Sequence, residues 1–270
     1  MYNIGFIMKE TIFNIDFNKN IIATAIHSGS NLRDDVQDQV ALNNKQRLHE
    51  EDPLTDYIAF GFDSSIVQLT SRFEYDINRN PINAVYQSPE DCWGLNIYEK
   101  PISSEMITTS LDKYKKFYNK IDAIFNELSH TYKTIFVWDI HSFNNRGRAD
   151  INNFNADNAV PDICLGTSNA NSAFFPLFKE IVENIRTADF FGSNLSVDFN
   201  NPFPGGTFPR YLNASFNNKV VALTIEINKR IFMNSREYNF DEDDACVKIQ
   251  ALTRIRDIIT SQSPLIESFI

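Results

Sequence analysis

Short unbroken apolar runs alternate along this chain with longer stretches whose apolar residues recur every three or four positions. Thr134 to Ile140 is the clearest run, and it predicts a buried strand covered on both faces. Ile21 to Ile26 and Val220 to Ile227 read the same way, and Pro161–Thr167 and Leu195–Phe199 read as shorter strands. Ile66 to Ile77 alternates toward its end and predicts one more strand, broken by Asn80-Pro81. Residues 1 to 20 suggest an N-terminal strand or arm.

The longest helical pattern is Ile107, Leu111, Tyr114, Tyr118, Ile121, Phe125 and Leu128, stepping by four and three, with Ser103 or Ser104 as cap. Lys113, Lys116 and Lys120 mark its outer face. Further helices follow from Phe174, Phe178, Ile181 and Ile185, and from Ala245, Ile249, Leu252, Ile255 and Ile259. The acidic turn Glu50 to Asp56 suits the start of a helix through Tyr57 to Gly61. Residues 30 to 50 read as a loop with one helix, residues 81 to 104 as irregular, and residues 143 to 159 as a long polar loop. A helix followed at once by a buried strand is the second half of a βαβ unit, so one α/β domain over residues 1–270 is expected.

Composition narrows the partners. The net charge is −10 and the pI about 4.9, which argues against nucleic acid or an anionic membrane as main partner. Three cysteines, Cys92, Cys164 and Cys246, are odd in number and widely spaced, as reduced thiols would be. Met1 to Asn20 is broken by Lys9, Glu10, Asp16 and Lys19 and has no cleavable apolar core. No apolar run reaches transmembrane length. A cytoplasmic protein is the expectation.

The chemistry starts from histidine. The chain has four, and two of them, His27 and His141, follow apolar runs and precede serine. A lone histidine there reads as a loop or core imidazole, but the pair reads as two ligands of one metal. A catalytic zinc needs about three protein ligands and an open position. The acidic turn offers the third: Asp52 first and Asp56 second, one helical turn apart, with Glu51 also open. His49 is a spare beside that turn, and His130 suits the end of the long helix for dipole reasons. Glu226 interrupts an otherwise apolar strand. A buried carboxylate needs a partner or a task, and general base to a metal-bound water is one. Arg79, Arg146, Arg148 and Arg210 sit in loops after strands, where each reads as a carboxylate fork, a surface arginine or a partner of Asp76 or Asp162.

These residues resemble the N-formylglutamate amidohydrolases. His27-Ser28-Gly29 looks like their first histidine motif, and Asp52 to Asp56 like their acidic motif. Ser71-Arg72 through Asp76-Ile77-Asn78-Arg79 resembles their arginine-bearing strand end. Asp139-Ile140-His141-Ser142, Pro161-Asp162 with Leu165-Gly166-Thr167, Gly205-Gly206 with Arg210, and Glu226 complete the series in family order. Ile26 departs from the proline usual before the histidine. The resemblance implies a zinc carboxypeptidase-like fold with a mixed, mostly parallel sheet flanked by helices. It also implies metal-dependent cleavage of an N-acyl, typically N-formyl, amino acid. His27, Asp52 or Asp56, and His141 would hold Zn2+ or another divalent transition metal. Glu226 would act as base, and Asn78, Arg79, Gly206 and Arg210 would bind the small-molecule substrate. A carboxypeptidase-like peptidase, another amidase or a non-catalytic binding protein on the same fold are the alternatives. The oligomeric state is open.

Overall fold

The computed structural model describes residues 3–7, 10–144, 160–233 and 242–270. The chain opens with β1 (Asn3–Ile7), β2 (Thr11–Asp16) and β3 (Ile21–Ala25). Three short helices follow, α1 (Asp34–Gln37), α2 (Asn44–Glu50) and α3 (Thr55–Ala59), and then β4 (Ser65–Gln68). The long helix α4 (Ser104–Thr131) leads into β5 (Ile135–Phe143) and β6 (Ile163–Gly166). Next come α5 (Phe175–Thr187), β7 (Val197–Phe199), α6 (Thr207–Ser215) and β8 (Val220–Asn228), with α7 (Glu242–Thr260) and α8 (Ser263–Phe269) last.

All the strands join one eight-stranded sheet in the order β1-β2-β4-β3-β5-β8-β6-β7. Its centre is parallel, with β3 between β4 and β5 and with β8 beyond β5. The flanks turn over: β2 runs antiparallel to β1 and β4, and β6 runs antiparallel to β8 and parallel to β7. The expected mixed, mostly parallel sheet flanked by helices is what the chain forms.

Strand alternation sends successive residues to opposite faces. Phe136, Trp138, Ile140, Leu223, Ile225 and Ile227 pack in one core with residues of α5 and α7. Ile135, Val137, Val220 and Ala222 pack in another, against Ile121, Phe125 and Leu128 of α4 and Leu212 of α6. Odd positions of β5 and even positions of β8 therefore share the α4 side, which puts Asp139, His141, Thr224 and Glu226 on one face. A third, smaller core gathers Val36, Leu42, Phe73, Tyr86, Cys92, Ile97 and Tyr98. Cys92 and Cys164 are buried free thiols. The Cys246 side chain lies outside the described ones. Among the described residues no helix is long and apolar enough to cross a membrane.

Several elements differ from the pattern's forecast. β5 runs on to Phe143, because β8 pairs with it from Ile135 opposite Val220 to Phe143 opposite Asn228. The polar cluster is thus inside the sheet rather than past its end. The strand predicted over Ile66–Ile77 stops at Gln68. Beyond it the Glu74 N–H turns back to the Ser71 carbonyl at 3.0 Å and the Phe73 N–H to the Ser71 hydroxyl at 3.1 Å, so backbone groups are satisfied locally. Residues 30 to 50 hold two helices rather than one, and α8 was not foreseen. Ile249 is 59% exposed, not core. The body meets α7 further along, where Tyr57 bonds Thr253 at 2.9 Å and Arg256 at 3.0 Å. Ser103, not Ser104, caps α4, its hydroxyl accepting from the Met106 N–H at 3.2 Å.

Candidate active site

Neighbouring parallel strands deliver their groups to one edge of the sheet, as open α/β sheets do. His27 follows β3 directly. His141 lies in β5 beside Glu226 in β8, its partner in the register. Asp52 comes from the turn between α2 and α3, where its N–H donates to the His27 carbonyl at 2.9 Å. Leu54 takes a left-handed backbone, φ 68°, and this turn separates Asp52 from α3.

Nδ1 of both histidines faces the same carboxylate oxygen, Asp52 Oδ2, at 2.9 Å from His141 and 3.5 Å from His27. The ring centroids are 4.9 Å apart. Ligand atoms of His27, Asp52 and His141 all lie within 4.8 Å of one another, and all three residues are buried. Among the described residues this is the group able to hold a metal ion. Two imidazole nitrogens and a carboxylate oxygen are a donor set suited to zinc. The far nitrogens are also engaged: His27 Nε2 on Asp76 Oδ1 at 2.8 Å, and His141 Nε2 on Asp139 Oδ2 at 3.1 Å. A carboxylate behind each imidazole fixes its tautomer and ring orientation, as in metal sites generally. The residues fit a divalent transition metal.

Electrostatics follow from this packing. Burial opposes charge on Asp52, but bonds from His141 and His27 outweigh it and hold the carboxyl well below its usual range. Burial likewise opposes charge on His141, and Asp139 and Asp52 outweigh it, holding the imidazole above its usual range. Asp76 is fully buried yet held low by Arg72 and His27. Its Oδ2 accepts from Arg72 Nη2 at 2.8 Å and from the Tyr86 hydroxyl. Burial pushes the Glu226 carboxyl up to about 7, with Asp52 and Asp139 adding to the push and His141 opposing it. Glu226 is the half-buried position of a strand buried everywhere else, so it faces open space.

That space is a cavity of about 610 Å³, lined by His27, Asp52, His141 and Glu226 together with Asn78, Arg79, Gly206 and Arg210. Asn78 and Gly206 touch closely. A Cβ on Gly206 would sit 2.1 Å from Asn78 Oδ1, so the cavity wall requires glycine there. Asn78 Oδ1 accepts from the Phe208 N–H at 2.9 Å, which anchors the first turn of α6. The Arg79 guanidinium lies 5.0 Å from the Tyr86 ring centroid and 5.9 Å from that of Trp93, with its Nε 3.8 Å from Asp76 Oδ2. Arg210 Nε donates to Asn169 Oδ1 at 3.2 Å.

Of the site residues picked out in the sequence, His27, Asp52, Asn78, Arg79, His141, Gly206, Arg210 and Glu226 line this cavity, and Asp56 and Glu51 do not. Asp56 sits in the first turn of α3, outside the converging group. Glu51 is fully buried and turned to Ser71 and Arg47 instead. His130 is in the last turn of α4, as dipole reasoning has it. Arg146 and Arg148 lie outside the described residues, as does the His49 side chain. Sequence reading missed the roles of Asp76, Arg72, Trp93 and Lys229. Asp139 had a signal, since two positions before His141 in a strand means the same face. Asp76 carried a signal only as a partner of nearby arginines, because the histidine it meets is far away in sequence.

The sheet, the paired histidines with Asp52, and the glutamate and arginines of one cavity make this an α/β protein with a buried histidine–carboxylate group in a polar cavity. The sequence model of one family, N-formylglutamate amidohydrolase, matches residues 19–233, and the chain belongs to that family. Its fold is similar to the N-formylglutamate amidohydrolase of Ralstonia eutropha JMP134, with a TM-score of 0.66 and 14% identity over 88% of this chain and 92% of that one. A gene product of Agrobacterium tumefaciens is similar too, with a TM-score of 0.58 and 17% identity over 90% and 92%. No curated protein sequence matches the chain significantly.

Proposed function

We propose that this protein is a metal-dependent amidohydrolase that removes the acyl group, formyl first among them, from an N-acyl amino acid such as N-formylglutamate. The observation that carries the reading is the convergence of His27, Asp52 and His141 within 4.8 Å in the cavity that Glu226 also lines. Family membership supports hydrolysis of a carbon–nitrogen bond. A divalent transition metal, zinc in the first instance, would be held by His27, Asp52 and His141 and would supply Lewis acidity toward the acyl carbonyl and water. Asp76 and Asp139 keep the two imidazoles turned toward Asp52. Glu226 takes a proton from the attacking water and hands it to the departing amine nitrogen. A carboxyl pushed up to about 7 is well matched to accepting a proton and then giving it up near neutral pH. Arg79 and Arg210, with Asn78 and Gly206 shaping the wall, hold the substrate carboxylate and set the scissile amide against the water.

The test is release of formate from N-formylglutamate and other N-formyl amino acids by zinc-loaded protein, with short peptides in parallel. Formate release that stops on chelation and returns with zinc is the expected result. Cleavage of peptides without cleavage of formyl amino acids would replace this reading with the peptidase one. No turnover of either class by metal-loaded protein would leave a binding protein.

A further inference from the structure

Lys229 lies in the turn after β8, lines the cavity, and is only 6% exposed. The mechanism above gives it no task, and burying an ammonium is costly unless it is well bonded. Its Nζ donates to the main-chain carbonyl of Glu51 at 2.6 Å. The N–H of Asp52 belongs to the same planar peptide and donates to the His27 carbonyl at 2.9 Å. One peptide is therefore gripped at both polar ends, by a charged donor after β8 and by the backbone after β3. A charge-assisted bond of this kind is the stronger sort. The buried Glu51 side chain is itself held by the Ser71 hydroxyl and lies beside Arg47, so the residue that carries this carbonyl is fixed as well.

We propose that Lys229 is a positioning residue for the metal site, fixing the Glu51–Asp52 peptide so that the Asp52 carboxylate meets Nδ1 of both His27 and His141. This rests on the metal reading given above. Because the same turn closes β8, the grip also fixes Asp52 relative to Glu226. Lys229 acts through Asp52 and not on the substrate, so its loss appears in metal affinity before it appears in substrate binding.

The experiment measures the zinc dissociation constant of the whole protein by competition with a chromophoric chelator, with melting temperature alongside. Lys229→Met should weaken zinc by roughly 10–100-fold, the range for outer-shell partners. Lys229→Arg, which can offer a charged donor to the same carbonyl, should recover most of it. Hydrogen exchange of the Asp52 amide in the apoprotein reads the grip without metal, and its protection should fall in Lys229→Met. If that variant does not fold, Lys229→Gln, which keeps a donor but no charge, takes its place with the same expectation. Zinc affinity equal to wild type with only a lower melting temperature would overturn the proposal and leave the metal reading intact. Wild-type protein that binds no zinc would overturn the metal reading, and the positioning role with it.

Discussion

The floor and the wall of the cavity are built on different principles. The floor is His27, directly after β3, with His141 and Glu226 paired inside the adjacent parallel strands β5 and β8, and Asp52 tied to the His27 backbone. Its histidines and Asp52 are buried, and each imidazole is held between two carboxylates. The wall is Asn78, Arg79, Gly206 and Arg210, carried by a loop and by the start of α6, and it is more exposed. A hydrogen-bonded sheet fixes positions finely, which suits groups whose geometry decides a reaction. Loops can differ while the floor stays the same, which suits groups that select a substrate. Changes to the floor should therefore strike metal binding or turnover, and changes to the wall should strike substrate use.

The largest separation between the two is expected at Glu226. Glu226→Gln keeps shape but cannot accept a proton, so turnover should fall roughly 10²–10⁴-fold while zinc stays bound. Zinc content, melting temperature and turnover measured on one preparation distinguish a base from a ligand or a structural carboxylate. An active, zinc-replete variant would remove the base from the mechanism.

Gly206→Ala probes the wall at its tightest point. The added methyl must displace the Asn78 carboxamide, and with it the start of α6. A misplacement of this size can cost up to about 10²-fold in kcat/KM. Zinc affinity should not change, and if it does, wall and floor are not separable.

Behind the floor, Asp139→Asn leaves volume but weakens the bond to His141 Nε2 and the one from Thr24 Oγ1 at 2.9 Å. Zinc affinity should fall roughly 10–100-fold. An unaltered affinity would mean that the strand alone orients His141.

The arginines give an effect confined to one class of substrate. Arg210→Ala should cost about 1.5–3 kcal/mol in kcat/KM toward substrates with a free carboxylate, and little toward the same substrates blocked. Arg79, stacked near Tyr86 and Trp93, should behave likewise. Equal penalties on both substrates would make these arginines structural.

The same contrast explains what could be read from the sequence. Three floor residues and Asp139 behind them stand out because each interrupts or ends an apolar run: Asp139 and His141 after Trp138, His27 after Ile26, Glu226 between Ile225 and Ile227. The strands β3, β5 and β8 and the α4 helix follow from periodicity, but the strand order does not, because it pairs segments far apart in the chain. The carboxylates behind the histidines divide by distance along the chain, with Asp139 local and Asp76 not. The Asp52 and Asp56 choice turned on one left-handed residue, Leu54, whose conformation no periodicity signals. Lys229 gives no sequence signal for its bond to a main-chain carbonyl, and helical spacing does not say where along α7 the body meets it, which leaves Ile249 exposed.

The central claim is that His27, Asp52 and His141 hold a metal ion, and metal stoichiometry tests it most directly. Protein purified without chelators and loaded with zinc should carry one ion per chain, a stoichiometry that follows from one three-residue group. His27→Ala and His141→Ala should each bring that near zero while the folded melting transition survives. Asp52→Asn should weaken zinc more than Asp56→Asn does. Unchanged stoichiometry in both histidine variants would contradict the account.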